Sequence, residues 1–310
     1  MKSIIIFKYG DGELANQLWN YVSIYAYGLE KGVPVFNPSF YEYHSSFKFL
    51  EEENGMVKSM AKLFEDYFGR KQKNWKKFWR KIYRIYPFYI YLTQKSRIIS
   101  SDKSSNSVVA LPPTGNIETF RQKEDQNKVY FDGWLFRNPV GLNKYRKEII
   151  SAFCPRDKIV EKVHNRIAEL AAKYEKIVGI HIRQGDYVTF KDGHYLIPAD
   201  RVRTIIDEYI KRNSVIINKT VFVIASDGPI EPKIIQGLNC HISKENAVTD
   251  LFLLSACDVV IGSNSSFGDF AAWYGNIPHI IMTKETIDWE YYDSKKEYFE
   301  NKFCTMVHYR

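Results

Sequence analysis

IVGIHIRQGDYV, Ile177 to Val188, is an apolar run that encloses one histidine, His181, and then breaks into Arg183, Gly185 and Asp186. A short Val/Ile run closed by a turn reads as a buried strand, and the same pattern recurs on its C-terminal side. VFVIASD (221–227), DVVIGS (258–263) and IPHIIM (277–282) alternate with helical patterns near 157–173, 199–212, 245–256 and 268–274. Continuous apolar strands separated by helices predict a parallel sheet covered on both faces. On the N-terminal side, Ile4–Phe7 is followed by the glycine loop GDGELANQ and a periodic stretch from Leu14 to Leu29 that ends at Lys31-Gly32. That order predicts strand, loop and helix with a glycine stop. VPVF (33–36) and VYFDGW (129–134) add strands, residues 101–116 read as a loop, and Asn143 to Ala152 as a helix ended by Cys154-Pro155. The fold class expected is α/β, in two domains: 1–155, with a basic and aromatic helical insertion at about 41–99, and 156–310.

Composition narrows the partners. The 310 residues are 45% hydrophobic, enough for a core. The net charge of +8 favours an anionic partner. Cys154, Cys240, Cys257 and Cys304 lie far apart with no C-x-x-C, which argues against a thiolate zinc site or a disulfide framework. The opening MKSIIIFKYG has an apolar run of four, too short for a signal peptide, and no window approaches the ~20 apolar residues of a membrane span. A cytoplasmic protein is expected, with peripheral contact at the inner membrane face as an option.

In doubly wound sheets ligands bind at the carboxyl ends of the strands. Here those ends carry Arg183 and Asp186, then Ser226 and Asp227, then Ser263, Asn264, Ser265 and Ser266. Arginine offers a permanent forked donor to phosphate oxygens, and serine-rich turns entering a helix offer hydroxyls and backbone N–H groups. Together they describe a diphosphate site. Taken singly, each has a structural reading: an Arg183–Asp186 ion pair, and serines as helix caps. No D-x-D occurs to hold a metal–diphosphate, so a fixed cation is expected in the metal's place, with no metal ligands and no cofactor.

Four segments in order, GELANQLWNY, GWLFRNPVGLNKYRKEIISAF, HIRQGDY and DLFLLSACDVVIGSNSSFGDFAAW, resemble the α-1,2-fucosyltransferases of glycosyltransferase family 11, and more loosely the wider H-x-R fucosyltransferases. The resemblance implies two Rossmann-like domains of GT-B type facing a cleft, GDP-L-fucose as donor, a glycan hydroxyl as acceptor, and inversion without a metal. It further implies that Arg183 grips the diphosphate with His181 beside the nucleotide. Asp250 would accept from guanine, and Ser265, Ser266 and the Phe267 backbone would complete the phosphate cradle. Asp227, Asn16 and Gln17 match further positions lining the donor site. Where the family commonly has a second arginine this chain has Gln184, and two loop glycines are Glu13 and Ala15. Asp186 is the first candidate for the general base, with Asp192 and His194 behind it; a loop-capping role for Asp186 stays open.

Two other readings compete. GDGELA is G-x-G-x-x-A, yet the acid that a dinucleotide fingerprint wants at the end of the second strand is missing, since VPVF ends in Asn37-Pro38. RKQKNWKKFWRKIYR (70–84) has eight basic and no acidic residues. Trp75, Phe78, Trp79, Ile82, Tyr83 and Tyr86 would share one helical face. No nucleic-acid recognition motif accompanies this patch, so no nucleic-acid partner is expected. A membrane surface that presents a lipid-linked acceptor, or a core-facing stripe with a solvated basic back, both fit.

Overall fold

The structure, a computed structural model, describes residues 1–8, 12–48, 73–101, 109–113, 117–133 and 135–293. Its contacts divide the chain into two compact units, one made mainly of Met1–Arg156 and the other of Asp157–Phe303.

In the N-terminal unit, strand β1 (Ser3–Lys8) pairs in parallel with β2 (Val35–Phe36) on one side and β5 (Lys128–Asp132) on the other. Strand β3 (Ile98–Ser100) extends the sheet from β5, giving the order β2-β1-β5-β3. A separate parallel pair joins β4 (Val109–Ala110) to β6 (Phe136–Arg137). Helix α1 (Leu14–Lys31) ends at Gly32 with φ 63°, the left-handed stop its sequence signals. Its apolar face buries Trp19, Tyr21 and Tyr27, and Tyr21 meets Phe40 and Phe153 edge-on at 5.6 and 4.9 Å. Buried Asn20 donates to the Gly133 carbonyl (3.0 Å) and accepts from the Phe136 amide (3.2 Å), fixing the chain on either side of position 134.

Helices α2 (Lys73–Tyr83) and α3 (Ile85–Thr93) follow, with α4 (Ile117–Glu124), α5 (Pro139–Lys144) and α6 (Arg146–Ala152). Ile98 and Ile99, read above as the tail of a helical insertion, are instead a sheet strand. Two β-branched residues beside the β5 edge gain more by pairing than by prolonging a helix.

The C-terminal unit is one parallel five-stranded sheet in the order β11-β10-β7-β8-β9. Its strands are β7 (Lys176–Ile182), β8 (Thr220–Ser226), β9 (Cys240–Ile242), β10 (Val259–Ser263) and β11 (His279–Met282). Helices α7 (Asp157–Ala171), α8 (Ala199–Arg212), α9 (Pro232–Ile235), α10 (Ala247–Ser255), α11 (Ser266–Gly275) and α12 (Trp289–Asp293) complete it. Val178, Ile180, Phe222, Ile224 and Ile261 of the central strands pack with Val202, Ile205 and Ile206 of α8 in a fully buried core. The chain leaves β7 toward β8 on one side and returns as β10 on the other. The β7/β10 boundary is therefore the switch point at which such sheets bind ligands.

Helices α10 and α11 cross closely enough that a Cβ on Gly275 would lie 1.9 Å from the Ser255 carbonyl oxygen. Gly275→Ala is expected to destabilise this unit by about 2–3 kcal/mol through overpacking, whereas a methyl on Gly32 meets nothing within 4 Å and costs only its left-handed backbone strain. Thermal melting of the two variants checks the ranking; equal melting temperatures would contradict the close crossing.

Candidate active site

Strand β7 delivers His181 and Arg183 to the switch point, and β10 delivers Ser263. The Arg183 amide donates to Ser263 Oγ at 3.0 Å, which joins the two strand ends directly. The guanidinium carries two ion pairs, to Asp186 (2.7 Å) and to Asp227 (2.8 Å), and keeps 29% of its side chain exposed. The two carboxylates are held differently. Asp227 also accepts from the Gln184 and Gly185 amides, at 2.6 and 3.2 Å. Asp186 is 59% exposed, and Arg183 is its side-chain partner. A side chain at position 185 would strike Asp227 Oδ2, 2.7 Å from its Cβ, so the glycine lets the carboxylate reach the loop backbone.

Gln184 straps the neighbouring loop. Its amide donates to Ser226 Oγ (3.0 Å) and the Pro229 carbonyl (2.8 Å). Tyr187 donates to the Asn264 carbonyl (2.8 Å) and lies under the Arg183 guanidinium, 5.8 Å from ring centre to Cζ. Tyr187, Phe190 and Tyr195 form a stacked cluster beyond it. Asp192 sits in this turn with left-handed backbone (φ 55°), as does Lys191 (φ 46°), and the His194 ring meets Tyr195 edge-on.

Ser265 caps α11 and accepts from the Phe267 amide (3.3 Å), with Ser266 in the first turn. The N-terminus of α11 follows directly on β10, whose Ser263 is bonded to the Arg183 amide, so a helix dipole and a fixed cation share the switch point. Phe267 stacks on His181, with centroids 4.9 Å apart and rings 23° from parallel. Behind them, His279 and Asp269 form a fully buried pair at 2.9 Å. Gly262 and Gly268 admit the two imidazoles: a Cβ on Gly268 would lie 2.8 Å from His279 Nε2 and 3.6 Å from His181 Nδ1. Burial pushes His181 down to about 3, with His279 and Arg183 adding to the shift and Asp227 and Asp269 opposing it. His181 is therefore neutral at physiological pH. It is a packing and positioning group, with no charge to offer a phosphate.

Asp250 lies in the first turn of α10, and its hydrogen-bond partner is Ser243, outside the Arg183 cluster. Desolvation raises its pKa, Glu245 adds to the rise, and the Ser243 hydrogen bond opposes it. Asn16 and Gln17 belong to the N-terminal unit. Gln17 is buried and gives its amide to the Gly12 carbonyl (3.1 Å), while Asn16 is half-buried against Gly12. Gln17 holds the loop through its Nε2, and its Oε1 has no hydrogen-bond partner among the described residues. Gly10 and Asp11 of this loop lie outside the described residues. A groove of about 420 Å³ between α7 and α10 is lined by Lys162, Arg166, Glu169 and Glu245, which pair with one another, and by none of the Arg183 cluster. Among the described residues, no group of three or more His, Cys, Asp or Glu side chains could hold a metal ion.

Ser263, Gln184, Tyr187, Asp269 and His279 carry this geometry, although residue types alone assign no role to four of them and only a phosphate-loop role to Ser263. A buried acid–imidazole pair has no local pattern, because its members are brought together by the β10–α11–β11 crossover.

The model of the family described as glycosyl transferase family 11 matches residues 134–304, more than half the chain. The chain belongs to glycosyl transferase family 11. No curated protein sequence matches it. Among solved structures, it is similar to an Arabidopsis thaliana FUT1 mutant in complex with GDP, at 11% identity, over 92% of this chain and 71% of that one, with a TM-score of 0.52. It is also similar to POFUT1 in complex with GDP (10% identity, 91% and 98% covered, TM-score 0.49) and NodZ alpha-1,6-fucosyltransferase co-crystallized with GDP (13%, 88% and 93%, 0.49). The Arabidopsis structure shows a shared α/β fold with parallel sheets for this glycosyltransferase.

The depressed His181 pKa sets a pH dependence. Unfolded histidine titrates near 6.5, so between pH 6.5 and about 3 the unfolded chain binds a proton that the folded enzyme does not. Stability from this group is complete above pH 6.5 and falls as pH drops through that window, by up to about 1.4 kcal/mol per pH unit. His181→Gln is expected to flatten the slope of melting temperature against pH between 6.5 and 4.5; an unchanged slope would show that His181 is not buried neutral.

Proposed function

We propose that this glycosyltransferase moves L-fucose from GDP-L-fucose to a glycan hydroxyl, such as the 2-OH of a galactose residue, with inversion and without a metal. The observation that carries the reading is the Arg183 guanidinium fixed at the switch point beside the serine-capped start of α11. That is a diphosphate site built from a cation and a helix N-terminus. Family membership, the GDP-fucose resemblance of HIRQGDY and SNSSFGDFAAW, and GDP in the Arabidopsis FUT1 structure support the nucleotide. Labour divides in the GT-B manner, residues 156–310 binding the GDP-sugar and residues 1–155 serving the acceptor.

The geometry supports a sequence of events. Asp227 is fixed by two backbone amides and keeps Arg183 aimed. Asp186, exposed and held by the arginine, is the partner a diphosphate displaces. Arg183 then hydrogen-bonds the β-phosphate oxygens while the C1–O bond of fucose breaks, and it stabilises the charge that grows on departing GDP. The displaced Asp186 carboxylate is free to take the proton of the attacking acceptor hydroxyl, so the base becomes available only with donor bound. Inversion follows from the single displacement. His181 and Phe267 pack behind the phosphates, Ser265 and Ser266 present hydroxyls and amides, and Asp250, with its raised affinity for protons, accepts from guanine.

GDP at 100 times its Kd is expected to raise the melting temperature by about 5–10 °C, and UDP at the same concentration not to. Asp250→Asn weakens the GDP effect selectively. Equal shifts with GDP and UDP would overturn the donor assignment.

Arg183→Lys is expected to lower kcat by about 100-fold or more, because a point charge replaces the fork that binds Asp227 and phosphate together. Wild-type transfer is expected to persist in excess EDTA. Loss of turnover in EDTA, restored by Mn²⁺ or Mg²⁺, would refute the metal-free reading.

A further inference from the structure

Helix α3 is apolar on both sides. Tyr86, Pro87 and Ile90 turn inward, where Ile90 packs with Phe7 and Tyr130. On the opposite face Ile85 (68% exposed), Phe88 (63%), Tyr89 (57%) and Leu92 (69%) stand in solvent. Their spacing is i, i+3, i+4, i+7, so they form one stripe along two turns. A helix apolar all round is ordinarily buried, and a contiguous apolar stripe left in water marks an interaction surface. The stripe is also rigid, since the preceding turn is pinned by Tyr83, whose hydroxyl donates to the Phe7 carbonyl at 2.6 Å.

Charge selects the occupant. Lys81 and Arg84 are exposed at one end of the stripe and Lys95 at the other. From Lys73 to Arg97 the chain has no acidic residue. A second copy of the protein would set two cationic faces against each other. An anionic bilayer satisfies both halves: acyl chains take the apolar stripe, and headgroup phosphates take the cations. The described part of the stripe on α2, Phe78 to Tyr83, turns largely inward and offers less apolar surface than α3. Tyr83 is buried, Trp79, Ile82 and Tyr86 are half-buried, and among the described side chains of that face only Phe78 is well exposed. Arg80 is not a membrane cation either. It binds Glu42 through two nitrogens (2.6 and 3.1 Å) and approaches Glu13 at 3.4 Å, and Tyr43 donates to the same Glu13. Glu13, one of the positions where the family's loop glycine is absent, thus ties that loop to α2. Arg70 and Lys71 lie outside the described residues.

We propose that the Ile85–Phe88–Tyr89–Leu92 face of α3 docks into the headgroup–acyl boundary of an anionic bilayer, held by Lys81, Arg84 and Lys95. The inference stands apart from the donor assignment, because it concerns binding and not turnover. It would bring the enzyme to an acceptor carried on a lipid.

The test is cosedimentation of the full chain with vesicles of 30% phosphatidylglycerol in phosphatidylcholine, against phosphatidylcholine alone. Wild type is expected to bind the anionic vesicles preferentially, and less in 0.5 M NaCl. Each Lys or Arg near an anionic leaflet is worth about fivefold in binding, so Lys81→Glu with Arg84→Glu should weaken it at least tenfold. Phe88→Ser with Leu92→Ser should do the same through the apolar half, while melting temperature and turnover of a soluble acceptor stay near wild type. If wild type ignores anionic vesicles, or both double variants bind as it does, the proposal fails. It also fails if, without lipid, the serine variant converts a wild-type dimer to a monomer and vesicle binding is unchanged, for then a second copy covers the stripe. The salt dependence of the unaltered protein needs no variant, so a variant that fails to fold does not spare the proposal.

Discussion

The contact on which the candidate site depends is the hydrogen bond from the Arg183 amide to Ser263 Oγ, closing the gap between the ends of β7 and β10. Parallel strands at a switch point diverge in connectivity, because their following segments leave in opposite directions. A backbone-to-hydroxyl bond here fixes the root of the arginine to the root of the α11 helix. The cation and the helix N-terminus therefore keep a constant separation. Asp227 then sets the direction of the guanidinium, and its own position is set by the Gln184 and Gly185 amides. Preorganisation of this kind lets a site stabilise charge as it develops, without reorganising when it appears.

Behind that surface the protein places histidines where water cannot reach. The Asp269–His279 pair and neutral His181 fill the space that Gly262 and Gly268 leave open. A charged imidazole at position 181 would oppose Arg183 in a buried setting, and burial resolves the conflict by keeping the ring neutral. His181 consequently supports the start of α11 through its stack with Phe267 rather than through charge.

Much of the C-terminal unit was legible in the sequence because its strands are fully buried and read as unbroken Val/Ile runs. The 199–212 helical pattern coincides with α8, and the strand ends named from sequence meet around Arg183. Strand β9 was missed: Cys240–Ile242 is three residues long, half-exposed and without an apolar run. In the N-terminal unit, Ile98–Ser100 was hidden by the helical residues before it, since only the non-local β5 edge makes it a strand. The inward and outward faces of α3 could not be told apart from sequence, because both are apolar. The bond from Gln17 to the Gly12 carbonyl was likewise not legible, because it depends on a loop conformation that residue types do not specify.

The same logic explains the replacement of the family's second arginine. Gln184 has a neutral amide that reaches Ser226 Oγ and the Pro229 carbonyl, so its position is used to strap two loops together. At the strand end itself the cation is then Arg183, while Lys191 of the same loop lies over Phe190 and Tyr195. The measurement that bears most directly on this is a crystal structure of the enzyme with GDP. The account predicts diphosphate oxygens within hydrogen-bond reach of the Arg183 guanidinium and of the α11 first-turn amides, with Asp227 still paired and Asp186 released. A diphosphate bound elsewhere, with Arg183 still held by both carboxylates, would contradict it.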